Sequence, residues 1–251
     1  MLVAVVQLSS QDNVEENLAQ VRTFVAQAAR SGAELIVLPE NFAFMGEEAG
    51  KQVVSESLDQ APGLILGTLL DAAARHGVWI VGGGMPERSS DPDRPFNTSV
   101  LVSPAGALAS VYRKIHLFDV ALADGTNHHE SAVTLAGHDV VVADVHGIGL
   151  GLTVCYDLRF PELYRRLVVQ GVRIVTVPAA FTLTTGKDHW QVLLRARAIE
   201  NQVFVLAAAQ HGKHPRGRVT YGKSMIVDPW GDVLAQAGEG TGEARRAWLG
   251  R

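Results

Sequence analysis

The first 38 residues constrain the fold more than any other stretch. Leu2 to Leu8, Leu-Val-Ala-Val-Val-Gln-Leu, is short, apolar and rich in β-branched residues, and reads as a strand. Val14, Leu18, Val21, Val25 and Ala28 then recur at helical spacing. Asp12 or Asn13 can cap that helix, Glu15 and Glu16 suit its first turn, and Gly32 ends it. Glu34 to Leu38 is a second strand, buried judging by its apolar continuity, and it stops at Pro39. A strand, a helix and a strand in this order form a crossover unit, which places the chain among the α/β folds.

The remaining elements add hairpins to this theme. Leu64 to Arg75 reads as a helix ending at Gly77, and Val78 to Val81 as a strand running into Gly82-Gly83-Gly84. That triplet lacks the spacing of a phosphate loop and reads as close backbone packing. Thr98–Ser103 with Leu108–Arg113, and Val140–Val145 with Ile148–Val154, form two antiparallel hairpins. A helix from Phe160 to Gln170, a strand from Arg173 to Val177, a helix from Asp188 to Asn201 and a strand from Val203 to Ala208 follow. Lys223–Val227 and Val233–Gln236 flank an Asp228-Pro-Trp-Gly231 turn. Residues 118–137 read as a loop too long for mere connection, and 211–221 as a basic loop. Crossovers mixed with hairpins predict an α/β layered domain with a mixed sheet or sheets, and the similar rhythm of the two halves predicts two stacked layers of similar build. With 251 residues, 47% of them hydrophobic, one domain over 1–251 with a large core is expected.

A net charge of -4 and a pI near 6.1 give no electrostatic case for binding nucleic acid or an anionic membrane. No basic leader and no run of about 18 apolar residues is present, so a cytoplasmic protein is expected. A single cysteine excludes an internal disulfide and a Cys-rich metal site.

That cysteine, Cys155, lies between the apolar run Leu150–Val154 and a helix start at Phe160-Pro161-Glu162. A lone cysteine is ordinarily a small buried core residue. A sharp strand-to-helix turn is different: it holds a nucleophile rigidly and aims backbone N–H groups at whatever it attacks. Helix N-termini and nearby cations favour thiolate over thiol, and that is the expectation here. A cysteine nucleophile needs a base, a positive group for the oxyanion and a held water. The nine histidines lie mostly in loops and turns, and no pattern singles one out as the base. Carboxylates are better placed. Glu40 follows a buried strand directly, where ligand sites of α/β sheets gather, and Lys114 leaves another strand. His128-His129-Glu130 lacks the spacing of a metal site, so neither a metal nor a cofactor is expected.

Three segments carry a resemblance. Leu38-Pro39-Glu40-Asn41, Tyr112 to Asp119 and Cys155 to Glu162 resemble, in this order, the signature segments of the nitrilase superfamily, the carbon–nitrogen hydrolases. Later stretches, among them Pro178 to Gly186, Leu194 to Asn201, Ala207-Ala-Ala-Gln210 and Asp228-Pro-Trp-Gly231, are similar to its Nit branch of omega-amidases and deaminated-glutathione amidases. Phe181-Thr-Leu-Thr-Thr-Gly186 and Ala-Ala-Ala-Gln lean towards the latter. The resemblance implies a four-layer α-β-β-α sandwich, commonly paired as a homodimer through helix faces. It implies Glu40 as general base, Lys114 as oxyanion cation, Cys155 as nucleophile and Glu130 as a second carboxylate beside the lysine, with the pKa of one glutamate raised by burial. The Tyr156 N–H would share the oxyanion, and Phe181 and Thr182 would line the pocket. Arg159 is read evenly as substrate clamp or structural ion pair, and Arg195, Arg197 and Glu200 as structural ion pairs.

The implied activity is hydrolysis of the amide of a small carboxylate-bearing substrate, deaminated glutathione, through a cysteinyl thioester. Omega-amidase and N-carbamoyl-amino-acid hydrolase remain alternatives within the class, and a non-catalytic dimeric scaffold is the alternative outside it. Family members continue past the Asp-Pro-Trp-Gly hairpin with another strand. From about Gly238 this chain is Gly-rich and charged, without a strand pattern, so a shortened or diverged ending and an open sheet edge are expected.

Overall fold

The computed structural model describes residues 1–121, 127–240 and 244–249. Its first half contains β1 (Leu2–Val6), α1 (Val14–Arg30), β2 (Leu35–Val37), the single turn α2 (Gly50–Val53), α3 (Leu64–His76), β3 (Trp79–Glu87), β4 (Phe96–Val102), β5 (Leu108–Arg113), β6 (Asp119–Ala121) and β7 (Asn127–His129). The second half contains β8 (Val142–Val145), β9 (Ile148–Leu152), α4 (Pro161–Val168), β10 (Val172–Thr176), the short α5 (Leu183–Thr185), α6 (Gln191–Asn201) and β11 (Phe204–Ala207). It closes with β12 (His211–Lys213), β13 (Val219–Tyr221), β14 (Met225–Val227), β15 (Val233–Gln236) and β16 (Ala244–Trp248).

Two six-stranded sheets result, β16-β1-β2-β3-β4-β5 and β8-β9-β10-β11-β14-β15. Read in these directions, both run antiparallel, parallel, parallel, antiparallel, antiparallel. The two halves therefore share one build, ladder for ladder. Helix α1 corresponds to α4, and α3 to α6, as the crossovers between parallel strands.

The period-two alternation of side chains explains the layering. Val3, Val5, Leu35, Val37, Val81 and Leu101 join one buried cluster with Leu150, Leu152, Ile174 and Val205 of the second sheet. Their neighbours Ala4, Val6, Ile36, Leu38 and Ile80 join Leu18, Val21 and Val25 of α1 and Ile65 and Leu69 of α3. On the other side, Leu163, Tyr164 and Leu167 of α4 and Leu194 and Ala198 of α6 cover the second sheet. Each such side chain stabilises the fold by about 1.5–3 kcal/mol when fully buried. The order is helices, sheet, sheet, helices, the four-layer α-β-β-α sandwich. Both faces of β1 and β2 are covered, which is why those runs lack alternation.

Some local expectations change. Strand β3 continues through the glycine triplet to Glu87, with a bulge between Gly83 and Met85. The close packing is real: a Cβ on Gly83 would lie 2.2 Å from the Leu38 carbonyl oxygen and 2.2 Å from the Pro178 Cβ. Residues 118–137 hold the β6–β7 pair and a 3-10 turn at Glu130–Ala132, while 122–126 fall outside the described residues. The basic stretch 211–221 contains the β12–β13 pair.

The largest change is at the tail. Ala244–Trp248 pairs antiparallel with β1, and the Leu249 N–H donates to the Met1 carbonyl at 3.1 Å. The β1 edge is covered, against the expectation of an open one. An edge ladder is made by backbone groups, so it needs no apolar alternation in the sequence. Residues 241–243 and 250–251 of that tail lie outside the described residues.

Candidate active site

Strand ends from both sheets converge at one pocket. Glu40 follows β2, Lys114 follows β5, Cys155 follows β9, and Ala180 and Phe181 follow β10. Glu40 is held from several sides. Its Oε1 accepts from Lys114 Nζ at 3.0 Å and Asn97 Nδ2 at 2.9 Å, and its Oε2 accepts from the Ala180 N–H at 3.0 Å. Gln210 Nε2 donates to the Glu40 carbonyl at 3.0 Å, and the Asn41 N–H donates to the Gly84 carbonyl at 2.9 Å.

Lys114 is 2% exposed and sits between two carboxylates. Besides Glu40, its Nζ donates to Glu130 Oε2 at 2.8 Å and Oε1 at 3.1 Å. Glu130 also accepts from the Phe118 N–H at 2.7 Å and from Asn97 Nδ2 at 3.3 Å. Burial alone would lower the lysine pKa, but Glu130 and Glu40 outweigh it and hold it well above the ordinary value. Burial alone would raise the Glu130 pKa, and Lys114, with Lys51, instead holds it below the usual carboxylate range. Glu130 is therefore not a glutamate raised by burial, because the cations beat desolvation there.

Cys155 has φ 50°, a left-handed conformation that few non-glycine residues adopt and that stores about 1–3 kcal/mol of strain. Its N–H donates to the Pro178 carbonyl at 2.8 Å. Asp157, fully buried, fixes the turn: it accepts from the Val154 N–H at 2.8 Å, the Tyr112 hydroxyl at 2.7 Å and the His116 N–H at 3.1 Å. The His116 ring, 2.7 Å from the same carboxylate, stacks on Phe160 with centroids 3.7 Å apart. Tyr112 and His116 flank Lys114 in sequence, so one carboxylate ties the lysine segment to the nucleophile turn.

The resting state of the thiol differs from the expectation. Burial pushes the Cys155 pKa well up, Glu40 pushes it further, and Lys114 only partly opposes them. Burial and the neighbouring Glu40 charge thus favour the thiol over the thiolate at Cys155. A proton acceptor is needed at the moment of attack, and Glu40 lines the same pocket. None of the groups acting most strongly on Cys155 is a histidine.

The pocket has a volume of about 190 Å³ and is lined by Glu40, Lys114, Glu130, Cys155, Tyr156, Arg159, Phe181 and Thr182, so the sequence-predicted site residues come together. The Thr182 side chain caps α5 by accepting from the Thr185 N–H. Arg159 packs over the Phe181 ring at 5.6 Å and lies 3.2 Å from His189 Nδ1, and it forms no ion pair with a carboxylate among the described residues. Of its two readings, the structural ion pair does not form among the described residues. Arg197 does pair with Glu200 at 2.7 Å, whereas Arg195 donates to the Gly231 carbonyl and braces the turn after Trp230. Sequence reasoning missed Asn97, Asp157, Lys51, Glu48 and Arg218. Asn97, at the second position of β4, had no motif to mark it. Among the described residues no group of three or more His, Cys, Asp or Glu side chains is set to hold a metal ion.

The carbon–nitrogen hydrolase family profile matches residues 2–244, and the chain belongs to that family. It is 47% identical over 250 residues to the deaminated glutathione amidase of Synechocystis sp., covering 97% of this chain and 89% of that protein. It is 42% identical over 246 residues to the human deaminated glutathione amidase, covering 96% and 74%. The crystal structure of NitFhit from C. elegans superposes with a TM-score of 0.91 at 36% identity, covering 98% of this chain and 60% of that one. That of Nit3 from Saccharomyces cerevisiae, a nitrilase superfamily member, gives 0.88 at 32%, covering 98% and 89%. The sandwich and the family are those the three signature segments implied.

Proposed function

We propose that this chain is an amidase that cleaves a small carboxylate-bearing amide, deaminated glutathione, through a cysteinyl thioester. The observation that carries the chemistry is the buried Lys114 ammonium, braced between Glu40 and Glu130 and set against the Cys155 thiol. The substrate reading is supported by the 47% and 42% identity to proteins of that name.

Cys155 Sγ attacks the amide carbonyl carbon while Glu40 takes the thiol proton. The developing oxyanion lies against the Tyr156 N–H and the Lys114 ammonium, the latter held in place by Glu40 and Glu130 before the charge forms. As the C–N bond breaks, Glu40 returns its proton to the departing amine, leaving a Cys155 thioester. Glu40 then deprotonates a water, which adds to the thioester, and the acid departs as Cys155 regains its proton. Glu130 keeps Lys114 charged and aimed, and no cofactor enters the cycle. Arg159 binds a substrate carboxylate, and Phe181 and Thr182 form a wall of the pocket. Val169, Val192, Ile199 and Trp230 are 83%, 67%, 50% and 82% exposed around α4 and α6, and support a homodimer built through these helices. No helix of the described residues is long and apolar enough to cross a membrane.

Incubating the purified protein with deaminated glutathione, and measuring 2-oxoglutarate release, tests the proposal. Deaminated glutathione should turn over far faster than 2-oxoglutaramate or an N-carbamoyl amino acid, and Cys155→Ser should reduce turnover to background. Cleavage of only one of the other compounds overturns the substrate. Activity in Cys155→Ser, in a preparation free of host enzyme, overturns the mechanism.

A further inference from the structure

The pocket carries a second set of charges that the hydrolytic cycle leaves unused. Lys51, from α2, is only 8% exposed, and its Nζ lies 2.6 Å from Glu48 Oε2. Arg218, just before β13, lies 3.5 Å from Glu48 Oε1, and its Nη2 lies 3.5 Å from the Ala180 carbonyl oxygen. Both Arg218 contacts are at the outer limit of a hydrogen bond, and its buried Nε has no partner among the described residues. All three residues line the same pocket as Cys155. Among the described residues the two cations share the Glu48 carboxylate, and the buried Arg218 Nε is left as an unused donor. A buried donor left unpaired is unfavourable.

Arg159 forms a separate positive pole. It stands in the nucleophile turn, packs over Tyr156 and Phe181, and makes no bond to Glu48. The pocket thus presents one cationic group beside Cys155 and another on segments 47–53 and 214–219, where Glu48 and Arg218 remain partly open to solvent.

We infer that Lys51 and Arg218 form a subsite for a second substrate carboxylate, carried by the leaving amine, so that the pocket selects amides bearing a carboxylate on each side of the scissile bond. This rests on the amidase reading above. Arg159, in the turn that holds the nucleophile, is within reach of a short acyl group. The longer amine arm extends towards the open rim, where its carboxylate accepts from Arg218 Nε and joins Glu48 on Lys51. Deaminated glutathione meets both poles, with its 2-oxo acid carboxylate on the acyl side and its glycine carboxylate on the amine side. 2-Oxoglutaramate meets only one.

The test compares kcat/KM for deaminated glutathione with that for the same compound carrying a glycine carboxamide in place of the glycine carboxylate. Wild type should prefer the acid by roughly 10- to 100-fold, the range of a charge-assisted bond. Lys51→Met and Arg218→Gln should each reduce that preference at least several-fold, mainly through KM, and Arg218→Lys should retain part of it. Undiminished preference in both Lys51→Met and Arg218→Gln, or a wild type that cleaves both compounds equally, overturns the subsite and leaves the amidase intact. A wild type that cleaves neither overturns the substrate reading and the subsite with it.

Discussion

Replacing Lys114 with methionine should reverse the way stability depends on pH. In the native protein its ammonium lies 3.0 Å from Glu40 and 2.8 Å from Glu130, all three groups being nearly or fully buried. Because Lys114 and Lys51 outweigh burial, the Glu130 pKa in the fold lies below its ordinary 4.5. That pairing therefore stabilises the protein above pH 4.5 and is lost as pH falls through the lowered value. Methionine keeps the length and apolar stem but removes the charge. Burial and the second carboxylate then dominate, and the carboxyl pair has a folded pKa above 4.5. A raised carboxyl stabilises at low pH, and the contribution disappears as pH rises from 4.5 through the raised value. Removing one member of a buried ion pair costs about 3–5 kcal/mol. In a domain of this size each kcal/mol shifts Tm by about 2–4 °C. Thermal unfolding at about pH 8 should show the variant roughly 6–20 °C below wild type, and at about pH 5 the deficit should shrink by up to about 1.4 kcal/mol for each unit of pKa rise titrated. Lys114→Met with Glu130→Gln should recover part of the loss at pH 8. An equal deficit at both pH values, or a larger one in acid, would refute the reasoning.

Two more perturbations address the nucleophile and its scaffold. Glu40→Gln removes a negative charge that raises the Cys155 pKa, so the thiolate absorbance titration should move to lower pH while amide turnover collapses; an unmoved or upward titration would contradict the electrostatic account. Gly83→Ala places a methyl 2.2 Å from the Leu38 carbonyl oxygen and 2.2 Å from Pro178, two residues ahead of Glu40 and Ala180 respectively. It should cost about 1–3 kcal/mol by urea denaturation and reduce kcat, and wild-type values for both would show that this contact yields freely.

Much of this was legible because the physics is local. The β1–α1–β2 unit announces itself by apolar continuity and helical spacing, and Glu40, Lys114 and Cys155 each stand beside such an element. Asn97 was invisible for the opposite reason. It reaches Glu40 across 57 residues and Glu130 across 33, and nothing in Phe-Asn-Thr-Ser-Val distinguishes it from any strand asparagine. Lys51 and Arg218 meet at Glu48 although Arg218 lies 170 residues from it, so only the tertiary fold makes them one group. The upward push on the Cys155 pKa was not legible because helix start and cation were visible in sequence, whereas the depth of burial and the neighbouring Glu40 charge were not. The tail strand escaped because Ala-Arg-Arg-Ala-Trp lacks the apolar, β-branched pattern by which the other strands are read.

The matching ladders of the two sheets divide labour unequally. Glu40, Asn97, Lys114 and Glu130 come from the chain before β8, and Cys155, Asp157, Ala180 and Phe181 from the chain after β8 begins. Each half carries part of a reaction and none of its outcome. The first half by itself lacks Cys155 and also the Ala180 N–H and the Gln210 side chain that hold Glu40. The second half by itself lacks Glu40 and Lys114, and the first sheet takes its edge strand β16 from the end of the chain. The site is complete only when both halves and the tail strand are in place.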